Sequence, residues 1–113
     1  MSLYSATVSK PNWRNLPQAQ ITPQIINASV NCASTDAYMG EGSYIAVGST
    51  GPVTITITDG NGNTMGNAWS VPANNTLYFT SSVGAWLPNG FNVSCVGSGC
   101  STTEVYMSWY TAR

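Results

Sequence analysis

The sequence predicts an all-β fold: a small antiparallel β-sandwich or barrel, jelly-roll-like, with an extended N-terminal arm. Three observations carry that expectation. The residues that usually cover helix surfaces are scarce, with one Lys, two Glu and two Arg in 113 residues, while Val, Ile, Thr, Tyr and Trp recur and suit a pleated, half-buried surface. The segment PVTITITD at 52–59 sets Val53, Ile55 and Ile57 alternately with Thr54, Thr56 and Thr58, the period-two signature of a strand with one buried face. Clusters of Gly, Asn, Asp and Pro interrupt such runs at regular intervals, and about seven short strands joined by tight turns make a sandwich or barrel.

Residues 1–24 read as the arm and residues 25–113 as the β domain. LYSATVS at 3–9 suits a short strand, after which Pro11, Pro17 and Pro23 each remove a backbone donor and bias the preceding residue toward extended conformations. Such a segment has few ways to bury itself, and its backbone is free to pair with a foreign sheet edge. QIINASVNCA at 24–33 is the first strand of the domain, with Ile26, Ala28 and Val30 on one face. Residues 34–42 form a loop, 43–49 a strand and 49–52 a turn. After the strand at 52–59, DGNGN at 59–63 is rich in residues that accept positive φ, and 64–72 returns as its hairpin partner. Residues 73–75 turn, 76–82 form a strand, 85–90 a loop, 91–97 a strand with Phe91, Val93 and Cys95 in phase, and 97–99 a turn. The final strand, 103–112, sets Val105, Met107 and Trp109 on one face and Glu104, Tyr106, Ser108 and Tyr110 on the other. Large side chains on both faces suggest a second covered surface, a subunit contact through Tyr106 and Tyr110.

Composition narrows the function. Charged residues make 6% of the chain, against about 25% in an average domain. Such a surface is either covered in use or kept soluble by its Thr, Asn and Ser. Three basic residues spread from Lys10 to Arg113 make no phosphate-binding stripe, which argues against nucleic acid. No apolar run reaches the ~20 residues of a membrane span, and the N-terminus shows no secretory leader pattern.

The chain has no His, which removes His-based triads and the commonest general base. Its four acids, Asp36, Glu41, Asp59 and Glu104, offer no paired-carboxylate cleft, so an enzyme is not expected. DGNGNT at 59–64 has the start of a calcium loop, but Thr64 stands where Gly is wanted and Ser70 where the twelfth-position acid belongs; a hairpin turn is the better reading. No metal or cofactor is expected. Cys95 and Cys100 bracket a hairpin tip where a suitable register would close a disulfide, although a reducing cytoplasm favours free thiols. Cys32 lacks a partner and reads as a small buried hydrophobe. Three Asn-x-Ser/Thr matches, at Asn27, Asn74 and Asn92, are expected by chance in so Asn- and Thr-rich a chain.

The opening MSLYSATVSKPNWRNLPQAQ, the block AWSVPANNTLYFTSSVGAWLPNGFNVSCVG at 68–97 and the near absence of charge together resemble, in general layout, the decoration or cement proteins of tailed-bacteriophage heads. That resemblance implies a virion protein on the capsid surface, made in the host cytoplasm. It would bind the major capsid protein in many copies, often as a homo-oligomeric trimer, and stiffen the shell. The expected mechanism is strand addition by the arm, with Leu3, Tyr4 and Val8 along the added strand. Tyr4 and Trp13 serve as anchors and Arg14 pairs with a capsid carboxylate. A carbohydrate-binding module or lectin is the main alternative, with Trp69, Trp86, Asn89 and Tyr110 as its face. A tail-fibre or baseplate component is a third.

Overall fold

The computed structural model describes residues 12–112. Among them the regular elements are short strands and three short 3-10 helices, with no α-helix. In chain order the strands are β1 (Gln18–Gln20), β2 (Gln24–Ile25), β3 (Ser29–Ala33), β4 (Ala37–Met39), β5 (Tyr44–Ala46), β6 (Val53–Asp59), β7 (Trp69–Val71), β8 (Thr76–Tyr78), β9 (Trp86–Leu87), β10 (Phe91–Val96), β11 (Glu104–Tyr106) and β12 (Ser108–Thr111).

They form three antiparallel sheets, ordered β1-β12-β4-β9, β2-β11-β5-β8 and β3-β10-β6-β7. The first two are halves of one bent layer, because β1 continues into β2, β4 into β5, β8 into β9 and β11 into β12. The third sheet is the facing layer. Counted with each bent pair as one, eight strands result. The first pairs with the last, the second with the seventh, the third with the sixth and the fourth with the fifth. This is jelly-roll connectivity, a long hairpin rolled so that two antiparallel layers enclose one core. The fold class that the sequence predicts is the one adopted.

The core follows from the alternation. Val53, Ile55 and Ile57 of β6 are buried, with Phe91, Val93 and Cys95 of β10 in register beside them. The bent layer contributes Ala37, Met39, Ile45, Leu87, Val105, Met107 and Trp109. Each fully buried Ile or Val stabilises by roughly 1.5–3 kcal/mol. Phe91 and Trp109 meet edge to face, ring centroids 5.5 Å apart, and join the layers.

The last strand has the two faces expected of it, but Met107 divides it between β11 and β12. The bend is built at Gly40, whose N–H donates to the Ser108 carbonyl at 2.9 Å. Ser43 Oγ accepts from Ser108 N–H at 3.0 Å, and Ser108 Oγ donates to the Glu41 carbonyl. A Cβ on residue 40 would stand 2.7 Å from Ser108 Oγ and 2.9 Å from its carbonyl carbon, so the crossing requires Gly.

Several boundaries differ from expectation. The arm of residues 1–24 divides: residues 1–11, with the strand expected at 3–9, lie outside the described residues, while residues 12–24 lie against this chain's own domain. Pro17 and Pro23 do not prevent this. Pro17 contributes only its carbonyl, accepting from Thr111 N–H at 2.7 Å, and the residues between the prolines are free to pair. Gln18, Ala19 and Gln20 pair with Tyr110, Trp109 and Ser108.

The strand expected over 24–33 breaks at Asn27, whose φ of 59° lies outside the strand region, and Ala28 is exposed. The loop expected at 34–42 contains β4, buried on both faces. The loop expected at 85–90 contains β9. The strand expected over 76–82 stops at Tyr78, because Phe79 turns inward and Thr80–Ser82 form a 3-10 turn. The turn at 97–99 extends into a 3-10 turn, Ser98–Thr102, closed by a Cys95–Cys100 disulfide. Cys32 is free and half-buried, and burial pushes its thiol up to about 12. At the 59–63 turn, Asp59 Oδ1 accepts from the N–H groups of Asn61 at 2.9 Å and Asn63 at 3.0 Å, which occupies an oxygen that a calcium loop would use.

Candidate functional site

Strand alternation gives the bent layer an outer face as regular as its inner one. Two aromatic rows cross it. In the first, the registers Gln18↔Tyr110, Tyr110↔Tyr38 and Tyr38↔Trp86 place three rings side by side on β12, β4 and β9. Trp13, on the 3-10 turn Trp13–Asn15, caps this row. Its ring centroid is 5.2 Å from that of Tyr110 and 6.5 Å from that of Tyr38, and both tyrosines are buried. Gly84 is small by necessity, since a Cβ there would come 2.7 Å from the Trp13 ring. Trp86, at the open end of the row, is 49% exposed.

The second row is Tyr106, Tyr44 and Tyr78, directly opposite one another on β11, β5 and β8. Ring centroids are 5.7 Å and 6.4 Å apart along it. No further ring stacks on this row among the described residues, and Tyr78 is 62% exposed. Tyr44 donates to Glu104 Oε1 at 3.2 Å. Its phenol is raised above the ordinary tyrosine value, first by desolvation and then by the Glu104 charge.

A cleft of about 560 Å³ is lined by Gln18, Gln20, Glu41, Tyr106 and Ser108 with the paired Ala19 and Trp109. Its walls are tied together by polar contacts. Tyr110 donates to Glu41 Oε1 at 2.8 Å and accepts from Gln18 Nε2 at 3.0 Å. Tyr106 donates to Gln20 Oε1 at 2.9 Å. Arg14 Nε stands 3.3 Å from Glu41 Oε2, and its guanidinium lies 4.1 Å from the Trp13 ring centroid. The Tyr110 hydroxyl, the backbone of Glu41 itself and Arg14 hold the Glu41 carboxyl below the usual glutamate range. The bond to Glu41 raises the Tyr110 phenol in turn.

No family model, curated protein or solved structure matches the chain.

The expected site residues fall into three groups. Leu3, Tyr4 and Val8 lie outside the described residues. Trp13, Arg14 and Tyr110, expected to face a partner, are engaged within this chain instead. On the second large face of the last strand, the chain's own Trp13 packs on Tyr110, while Tyr106 is left without such a cap among the described residues. Arg14 is paired with Glu41 of its own chain. Of the four described residues, Tyr106 lies in the open row. The face proposed for a glycan does not assemble: Trp69 packs edge-on to Phe79 at 5.3 Å, Asn89 bonds to Asn61 in a distant turn, and Tyr110 is buried. Sequence reasoning missed Tyr44 and Tyr78, whose signal was parity. Each is offset by one position from a neighbour on the same strand that packs into the core, Ile45 and Leu77.

Glu41 is a single carboxylate kept ionised by its neighbours, which makes it a weak base. Among the described residues no group of three His, Cys, Asp or Glu side chains is placed to hold a metal, and no helix is long and apolar enough to cross a membrane.

Proposed function

We propose that this protein is a non-catalytic virion component that decorates a capsid, attaching to the major capsid protein through the outer face that carries Tyr106, Tyr44 and Tyr78. The observation that carries the reading is this open tyrosine row on a chain with 6% charged residues. Tyrosines are enriched in interface cores and at their hot spots, where charge is depleted. Jelly rolls recur in viral capsid domains, which is an analogy of fold and adds only to the prior. A capsid lattice repeats its sites, so modest contacts become stable attachment when several copies engage. In this reading the folded domain, which Trp13, Arg14 and β1 complete, supplies the tyrosine face for attachment.

Co-sedimentation with purified heads, with and without tails, tests the proposal. Wild-type protein is expected to pellet with tailless heads at a fixed copy number. Tyr78→Ser combined with Tyr44→Ser is expected to remain folded and to lose at least tenfold in apparent affinity. Absence from heads, or binding only to particles with tails, overturns the decoration reading.

A further inference from the structure

We infer that the cleft beside β1 and β12 is a binding site for a neutral saccharide unit. This goes beyond the capsid reading and does not depend on it. The cleft's volume of about 560 Å³ falls in the ordinary range for small-molecule sites, ~300–1,000 Å³. Gln18, Gln20, Tyr106 and Ser108 of its lining stand on paired strands, which hold their positions better than loop residues do.

The hydrogen-bond inventory identifies the ligand class. Gln18 spends its amide nitrogen on Tyr110, and Gln20 spends its amide oxygen on the Tyr106 hydroxyl. Each amide is thereby fixed in orientation and left with one unused group: the Gln18 oxygen accepts and the Gln20 nitrogen donates. The two residues are two apart on one strand, so both side chains project from the same face. A free acceptor and a free donor on one strand face suit the hydroxyls of a sugar ring, each of which can give and take a bond. Tyr106, stacked on Tyr44 at 5.7 Å, offers a ring against which the C–H face of a sugar packs. Glu41 is kept ionised, and Arg14 is already paired with it at 3.3 Å. The net field at the cleft is not cationic, which disfavours acidic sugars and phosphorylated ligands.

The test is an amide-resolved NMR titration of the full chain with methyl glycosides of glucose, galactose, mannose and N-acetylglucosamine. A glycan array then separates recognition of a free unit from recognition of a polymer end. At least one glycoside is expected to shift the side-chain amides of Gln18 and Gln20 together with the Ser108 backbone signal. Gln20→Glu keeps the acceptor for Tyr106 and removes the free donor. It is expected to leave the melting temperature near that of wild type and to weaken binding about fivefold to tenfold. Gln18→Ala is expected to weaken it similarly. Silence at both amides for all four glycosides, shifts confined to other parts of the surface, or unchanged affinity in Gln20→Glu would each overturn the inference. Tyr106 borders both faces, so the separating variant is Tyr78→Ser alone, which keeps the Tyr106–Tyr44 stack: loss of head binding with sugar binding intact distinguishes this site from the capsid face.

Discussion

Glu41 meets three partners at once: the Tyr110 hydroxyl, its own backbone and Arg14. All three favour the ionised carboxylate, so its folded value lies below its unfolded one, about 4.3. The stability it contributes is complete above that ordinary value and fades as pH falls through it toward the lower folded value. The melting temperature of Glu41→Gln is therefore expected to lie below that of wild type at neutral pH, and the gap is expected to close as the solution is acidified below about pH 4. A gap that is constant with pH would assign Glu41 a purely steric role. Cys32 supplies a second readout. Its thiol, pushed up to about 12 by burial, is protonated and shielded at neutral pH. Iodoacetamide at mildly alkaline pH is expected to leave the native protein unlabelled. It should add one group after unfolding without reductant and three after reduction, since Cys95 and Cys100 are joined. Mass spectrometry counts the adducts. That Cys32 lacks a disulfide partner was legible, although it is half-buried and not a core residue; the state of the other two was not, because spacing alone does not fix the geometry of a hairpin tip.

The strands that sequence revealed best are those with a long alternating pattern and one core face. β6 runs the full Val53–Asp59 as expected, since Thr on one side and Val or Ile on the other admits a single register. β4 and β9 were hidden. Ala37–Met39 is too short to show a period, and Tyr38 lies beneath Trp13, a contact 25 positions away that local pattern cannot reveal. β1 was hidden for the opposite reason: its prolines imply an unpaired segment, yet they fall where no donor is needed. Truncation separates the two views of this leader. Removal of residues 1–11 takes away none of the contacts described above and gives the reference form. Removal of residues 1–20 takes away β1 and the Trp13 cap and is expected to lower the melting temperature by about 10 °C or more. Equal melting of the two forms would show that the leader contributes nothing to the domain. The bend between the halves of the layer has its own test. Gly40→Ala forces a methyl group against Ser108 and is expected to cost about 1–3 kcal/mol in chemical denaturation, with no change in the jelly-roll strand order.

At the scale of the molecule, the first strand pairs with the last and every inner strand is nested between, so neither layer is complete without residues from both halves of the chain. Unfolding is expected to be a single transition, with tryptophan fluorescence and far-ultraviolet circular dichroism coinciding at every denaturant concentration. Separated curves would show that the bent layer and its facing sheet come apart independently. The overall class was legible because composition and turn spacing constrain it. The order of strands was not, since it depends on pairings between distant segments such as Gln18 with Tyr110. That same pairing brings Pro17 within a hydrogen bond of Thr111, and Ala112 N–H reaches the Asp36 carbonyl at 2.9 Å. The two limits of the domain thus emerge side by side at one pole, while the connections at 47–52, 72–75 and 97–103 gather at the other, where Asn74 N–H bonds to the Gly48 carbonyl. A circular permutant that bridges the first pole with a flexible linker and opens between Asn74 and Asn75 interrupts no ladder. It would move both fusion points to the opposite pole, leaving either end free to carry cargo there.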